Sequence, residues 1–380
     1  MEFISQIPNY VIPFVLVLSV LVFVHELGHY LVARWCGVRV EAFSIGFGPE
    51  LFGFKDKHGT RWKVCLIPLG GYVQMFGDSD PTSAHEDREK LDGIADDEKK
   101  SAFFFKPVWQ RALIVAAGPA INFLYAIIVM AGLFATQGQV YAPAEVGGLV
   151  EDSAATDAGF ELGDKIIAIN GRSVNTFQEL QRQVTINLGA DMVFTVMRGD
   201  AEMTLTATPK VVEQVDNFGF KHQVGRIGII SAGKIALKEH NVFSATTAAV
   251  QETYSMSVAT LKAIGQMVVG TRSADELGGV IRIGAYAKEF SDQGIMALLM
   301  FSALISVNLG LINLFPIPLL DGGHLVFYAY EAVRGKPMSE RFRMIGLRAG
   351  YVFVVVLMIY ATLNDLIQLK VFQYIGKLIS

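Results

Sequence analysis

The sequence has only two cysteines, Cys36 and Cys65, in 380 residues. That excludes a disulfide-stapled scaffold. Two thiols alone do not complete a zinc site either, so both read as small hydrophobes. Charge is also scarce, at 18% of residues against 52% hydrophobic, with a mean hydropathy of +0.40. Such a chain is too apolar for an ordinary soluble enzyme. Its 32 basic and 36 acidic residues sum to −4, which offers no basic surface for nucleic acid.

Charge is missing altogether from four stretches. Val11 to Val24 is apolar except for Ser19, and Ala112 to Ala144, Gly294 to Leu320 and Ala349 to Asn364 carry no charge. A helix needs about 20 residues to cross the hydrocarbon of a bilayer. The pattern predicts a polytopic α-helical membrane protein with four spans, near 10–34, 112–134, 297–320 and 344–364. The last is short without its flanks, where Arg348 can snorkel. The first run lacks a basic leader and a small-residue cleavage site, so it does not read as a signal peptide.

Basic residues set the expected orientation. Twelve Lys and Arg lie from Arg34 to Arg111, and five more from Arg334 to Arg348. The positive-inside rule places both loops in the cytoplasm. Both termini and the 135–293 segment are then periplasmic, in the inner membrane of a Gram-negative cell. Cys36 and Cys65 fall on the cytoplasmic side.

Histidine is rare as well, at seven residues, but two of them close the first span in His25-Glu26-Leu27-Gly28-His29. Residues four apart share a helix face, and in this H-E-x-x-H pattern two imidazoles bind zinc while the Glu handles the proton of the attacking water. Ionisable groups at the end of an apolar span are costly and usually functional. A catalytic zinc takes a third protein ligand. His222 and His240 fall on the far side of the membrane, and His85 sits in a charged loop. Asp321 directly follows the uncharged third span, where Pro316 and Pro318 interrupt the helix. Asp321 is the favoured third ligand, with His324 as the competitor or an outer partner.

In order and spacing, these residues join Phe47-Gly48-Pro49, Gly70 to Met75, Gly118-Pro119-Ala120-Ile121-Asn122-Phe123 and Ser306 to Gly310, which runs on to Leu320-Asp321-Gly322. Together they resemble the site-2 protease family of intramembrane zinc metalloproteases, in its bacterial regulator-of-sigma-E branch. The resemblance implies one catalytic Zn2+ on His25, His29 and Asp321, with Glu26 as base. It implies Asn308 and Asn313 as groups that hold substrate or steady the site; equally, they can cap carbonyls freed by the broken helix. It also implies single-span membrane substrates such as an anti-sigma factor, already trimmed by an upstream periplasmic protease, in an envelope stress response.

Trp62 to Pro68 and Gly71-Tyr72-Val73-Gln74-Met75 read as short strands. An exposed strand edge there would hold a substrate extended by β-augmentation. From about 140 to 222 the pattern is that of a small domain resembling a PDZ fold, with strands either side of Gly199-Asp200. Its peptide groove is expected at Gly147, Gly148, Leu149 and Val150. Residues 223–293 are expected to be a connector, on or near the membrane surface. The expected organisation is therefore a protease half at 1–134, the PDZ-like domain at 140–222, the connector at 223–293, a second protease half at 294–365 and an interfacial tail at 366–380. Asp80 to Lys100 reads as a solvated loop. A membrane adaptor with a structural metal is the rival reading; it leaves Glu26 unexplained.

Overall fold

The computed structural model describes residues 2–77 and 96–369. The charged loop therefore lies outside the described residues up to 95, as does the tail beyond 369. Contacts divide the chain into two compact units, 1–130 with 282–360 and 131–281 with 361–380. Among the described residues four helices are long and apolar enough to cross a membrane, namely Pro8–Trp35, Val108–Gln137, Ile295–Asn313 and Glu340–Gln368.

In the first unit, α1 (Glu2–Trp35) carries the Leu- and Val-rich run. It ends where Gly37 takes φ +71° and Val38 N–H donates back to the Ala33 carbonyl at 2.8 Å, a glycine cap that satisfies a terminal carbonyl. Two long strands follow, β1 (Val40–Lys55) and β2 (Arg61–Met75). Both bend, so Val40–Ile45 is matched by Gly71–Met75 on one edge and Arg61–Val64 on the other. Residues 50–55 then pair with the outer edge of 61–65. Gly71–Met75 is thus an outer strand, with no further strand partner among the described residues.

The turn between β1 and β2 is organised by Asp56. Its carboxylate accepts from the backbone N–H of His58 and Thr60 at 2.8 and 3.0 Å, Trp62 Nε1 at 3.0 Å and Tyr30 Oη at 3.1 Å. Tyr30, Phe43, Val73, Met75, Phe103 and Ile114 make a shared core that fixes the sheet against α1 and α2 (Val108–Gln137). Away from this core Phe47, Leu51, Phe52, Leu66 and Ile67 stay exposed.

The third span is α6 (Ile295–Asn313), preceded by α5 (Val280–Asp292). It ends seven residues before the expected limit of 320, because Pro316 and Pro318 cannot supply helix N–H groups. Leu319 there has φ +113°, a value rare outside glycine. A new helix, α7 (Asp321–Arg334), starts at Asp321. Partly buried Arg111 of α2 ties it down, donating to Glu331 at 2.6 Å. The last helix among the described residues is α8 (Glu340–Gln368).

The second unit holds a four-stranded sheet in the order β6-β5-β7-β8, from Arg172–Ser173, Lys165–Ile169, Met192–Arg198 and Ala201–Ala207. The hairpin at Gly199-Asp200 matches the sequence reading. Helix α3 (Phe177–Thr185) starts at Thr176, whose hydroxyl accepts from Glu179 N–H. It buries Leu180 and Val184 against Ile166, Phe194 and Val196. Arg198 donates to the fully buried carboxylate of Asp164 at 2.8 Å, which holds that carboxyl below its ordinary value.

This domain does not stop at 222. After the β9–β10 hairpin (Lys210–Val215 and Lys221–Arg226), β11 (Ile229–Ser231) returns to β4 (Val146–Leu149), and β12 (Ala236–Lys238) to β3 (Gln139–Tyr141). The rest of the expected connector is mainly helix. Helix α4 (Val242–Val269) is capped by Asn241 and ended by Gly270 at φ +82°, and Gly278 to Ile283 runs into α5.

Candidate metal centre

On α1, His25 and His29 lie one turn apart and face α2 and α7. His29 Nδ1–H donates to the Ile114 carbonyl at 2.9 Å. A carbonyl only accepts, so the proton sits on Nδ1 and the Nε2 lone pair is free. The two Nε2 atoms are 3.3 Å apart. Asp321, set by the proline turn at the start of α7, brings Oδ2 to 3.2 Å from His25 Nε2 and Oδ1 to 3.6 Å from His29 Nε2. One ligand atom from each residue lies within 4.8 Å of the others. His324 is not a member of that group.

The donor set suits a divalent cation. Two imidazole nitrogens and a carboxylate converge on one point, a combination zinc accepts. Asp321 Oδ2 is buried and has no hydrogen-bond partner, although it lies close to His25. Asn122 Oδ1, next to His25, is also buried without one. Buried polar atoms are normally paired, and a buried carboxylate facing two imidazoles marks a site built for something more than packing.

Glu26 sits beside the ligands on α1, partly buried. The outer strand of the sheet reaches it: a Cβ built on Gly71 would stand 3.1 Å from Glu26 Cγ and 2.7 Å from Val22 Cγ1. Within Gly71–Met75, Val73 and Met75 are buried in the core, while Tyr72 and Gln74 are partly exposed. Asn308 and Asn313 lie in the last turns of α6, both partly buried. Cys36 and Cys65 are free thiols; Cys65 is buried, 3.4 Å from Ser44 Oγ.

The groove expected along Gly147 to Val150 needs correction. Leu149 and Gly148 already pair with Ile229 and Ile230, while Val146 exchanges hydrogen bonds with Gly163 and Asp164 on its other side. Among the described residues β11 is the outer strand of this pair. Gly225, just before it, packs on the Val184 and Asn187 carbonyls at the end of α3.

Sequence reasoning gave no role to Gly118, Ile114 or Asn122. Gly118 packs directly on His29 Nε2 and would place a Cβ 2.9 Å from His25 Cε1. The available signal for Asn122 was a polar residue inside an uncharged span.

Comparison with known proteins identifies the family. The pattern of Peptidase family M50 matches residues 13–357. A protein of Agrobacterium fabrum named "Putative zinc metalloprotease" is 44% identical over 364 residues, covering 95% of this chain and 96% of its own. Metalloprotease MmpA of Caulobacter vibrioides is 39% identical over 386 residues, covering 96% and 97%. A solved PDZ domain of an SdrC-like protein from Listeria monocytogenes is matched over 24% of this chain and 88% of its own, at 24% identity and a TM-score of 0.18. By the family pattern and its relatives, this chain belongs to peptidase family M50 and is a metalloprotease.

Proposed function

We propose that the chain is a zinc-dependent intramembrane endopeptidase that cuts single-span membrane proteins. The observation that carries this is the convergence of His25, His29 and Asp321 beside Glu26, among helices apolar enough to span a bilayer. His25, His29 and Asp321 are the metal ligands. Zinc, when bound there, polarises the scissile carbonyl and acidifies water. Glu26 accepts the water's proton and passes it to the leaving nitrogen.

A carbonyl locked in a helix's hydrogen-bond ladder is closed to attack, so the substrate must be extended. The outer strand Gly71–Met75, with Gly71 against Glu26, is where an unwound segment pairs by β-augmentation. Asn308 and Asn313 assist in holding it. The β11 edge beside α3 is the peptide groove of the PDZ-like domain. The basic loops argue for an inner-membrane protein with both termini periplasmic and the active site toward the cytoplasm. The family resemblance supports an anti-sigma factor, trimmed first by a periplasmic protease, as the substrate, and a role in the envelope stress response.

The test is cleavage of a pre-trimmed, single-span anti-sigma substrate by purified wild type and Glu26→Gln in detergent with zinc. The expected outcome is a product from wild type and a loss of about 10²–10⁴-fold in the variant, with zinc content unchanged. Equal turnover by both would remove Glu26 from the mechanism.

A further inference from the structure

Asn122 takes no part in the chemistry above, yet it is fully buried in α2 and its side chain faces a metal ligand. Its Nδ2 stands 3.0 Å from His25 Nδ1. Its own backbone carbonyl accepts from Ser306 Oγ of α6 at 2.9 Å. The residue is therefore anchored through its main chain, and its amide is left to His25.

The two histidines differ in what sets their protonation. His29 Nδ1 faces a backbone carbonyl, which fixes one tautomer. His25 Nδ1 faces an amide, which presents a donor or an acceptor according to its rotation, in nearly the same envelope. With nitrogen inward, the His25 proton sits on Nε2. With oxygen inward, Oδ1 takes the Nδ1 proton, and the Nε2 lone pair turns toward the point shared with His29 Nε2 and Asp321. Half a turn leaves the packing and the number of unpaired amide groups unchanged, so the proton on His25 decides between the two.

We propose that Asn122 is the positioning residue of His25: its amide oxygen accepts the Nδ1 proton, fixing the tautomer and ring orientation that aim Nε2 at the metal. The inference rests on the reading of His25 as a ligand. Histidine ligands commonly owe their orientation to such a partner, whose loss costs about 10–100-fold in metal affinity.

The experiment is competition for zinc between the full-length protein and a chromophoric chelator, with the visible spectrum of the cobalt-substituted protein as a second readout. Asn122→Leu keeps the volume and removes the acceptor; Asn122→Asp keeps an acceptor. The expected result is zinc affinity about 10–100-fold weaker in the leucine variant, with an altered cobalt spectrum, and near-wild-type behaviour in the aspartate variant. Should the leucine variant not fold, Asn122→Ala takes its place. Wild-type affinity without the acceptor would overturn the proposal, and so would equal losses in both variants, which would mean packing alone. His25→Ala in the same titration separates the two readings. If His25→Ala keeps wild-type affinity, the ligand assignment fails. If it loses zinc while the leucine variant does not, only the role of Asn122 fails.

Discussion

Gly118 of α2 packs so closely on His29 of α1 that no side chain fits between them; even a Cβ would overlap the His29 ring and come within 2.9 Å of His25 Cε1. The close approach of the two helices and the placing of both imidazoles therefore depend on one missing methyl group. Gly118→Ala is expected to reduce zinc content and proteolysis together. Alanine is better than glycine in a helix by up to about 1 kcal/mol, so α2 itself is not weakened. Metal analysis beside a thermal melt checks this: zinc lost from a protein that still unfolds cooperatively is the expected result, and full zinc occupancy would contradict the packing argument.

Asp321 and His324 competed as third ligand in the sequence, and the geometry separates them. Asp321 brings its oxygens to 3.2 and 3.6 Å from the two histidines, whereas His324 lies outside the converging group. Asp321→Asn removes a charged ligand and is expected to weaken zinc binding beyond the roughly 10–100-fold typical of outer-shell changes. His324→Ala is expected to retain zinc. Equilibrium dialysis of both variants decides it, and the reverse pattern would return His324 to the site.

The candidate spans and the residues that converge, His25, His29 and Asp321, were readable because lipid forces uncharged runs and makes each intramembrane ionisable residue conspicuous. What was hidden had mixed signals. Gly46, Gly48, Pro49 and Gly53 look like turn residues, yet in β1 they accompany the bends that let one long strand pair on both edges, so the partner of Gly71–Met75 was not seen. Helix α7 follows two prolines, and only the structure shows that the chain recovers at once with Asp321 as its first residue. Thr, Ser and Val dominate much of Val242–Val269 and give a weak helical pattern, while tertiary packing buries Ala245, Ala249 and Thr253 on one face. The strand switch from β4 to β11 is a matter of non-local pairing, to which a local pattern is blind.

The Asp56 turn should respond to acid. Burial by itself would raise this carboxyl, but hydrogen bonds from Trp62, His58, Thr60 and Tyr30 outweigh it and hold the carboxyl at about 2, against an ordinary 3.8. A depressed folded-state pKa gives stability that is complete above the unfolded value and lost as pH falls through the folded one. Protection of the His58 and Thr60 amides from hydrogen exchange, corrected for intrinsic rates, should hold from neutral pH to about 4. It should then fall toward pH 2. In Asp56→Ala the protection should be low throughout and show no such step. A step in the alanine variant would assign the transition to another group.

Gly71 separates catalysis from metal binding. Its Cα meets α1 where a Cβ would stand 2.6 Å from the Ser44 carbonyl oxygen, 2.7 Å from Val22 Cγ1 and 3.1 Å from Glu26 Cγ. Two of those atoms are backbone or branched side chain and cannot swing aside, so Gly71→Ala must push the outer strand away from α1. None of those three atoms belongs to His25, His29 or Asp321, which keep their contacts with one another and with α2. The variant is therefore expected to bind zinc like wild type while losing on the order of 10²-fold in kcat/KM, the effect of displacing a reactant by about 1 Å. Zinc content and cleavage measured on one preparation give the answer. If both fall together, the strand supports the metal centre; if neither falls, the substrate does not pair at Gly71–Met75.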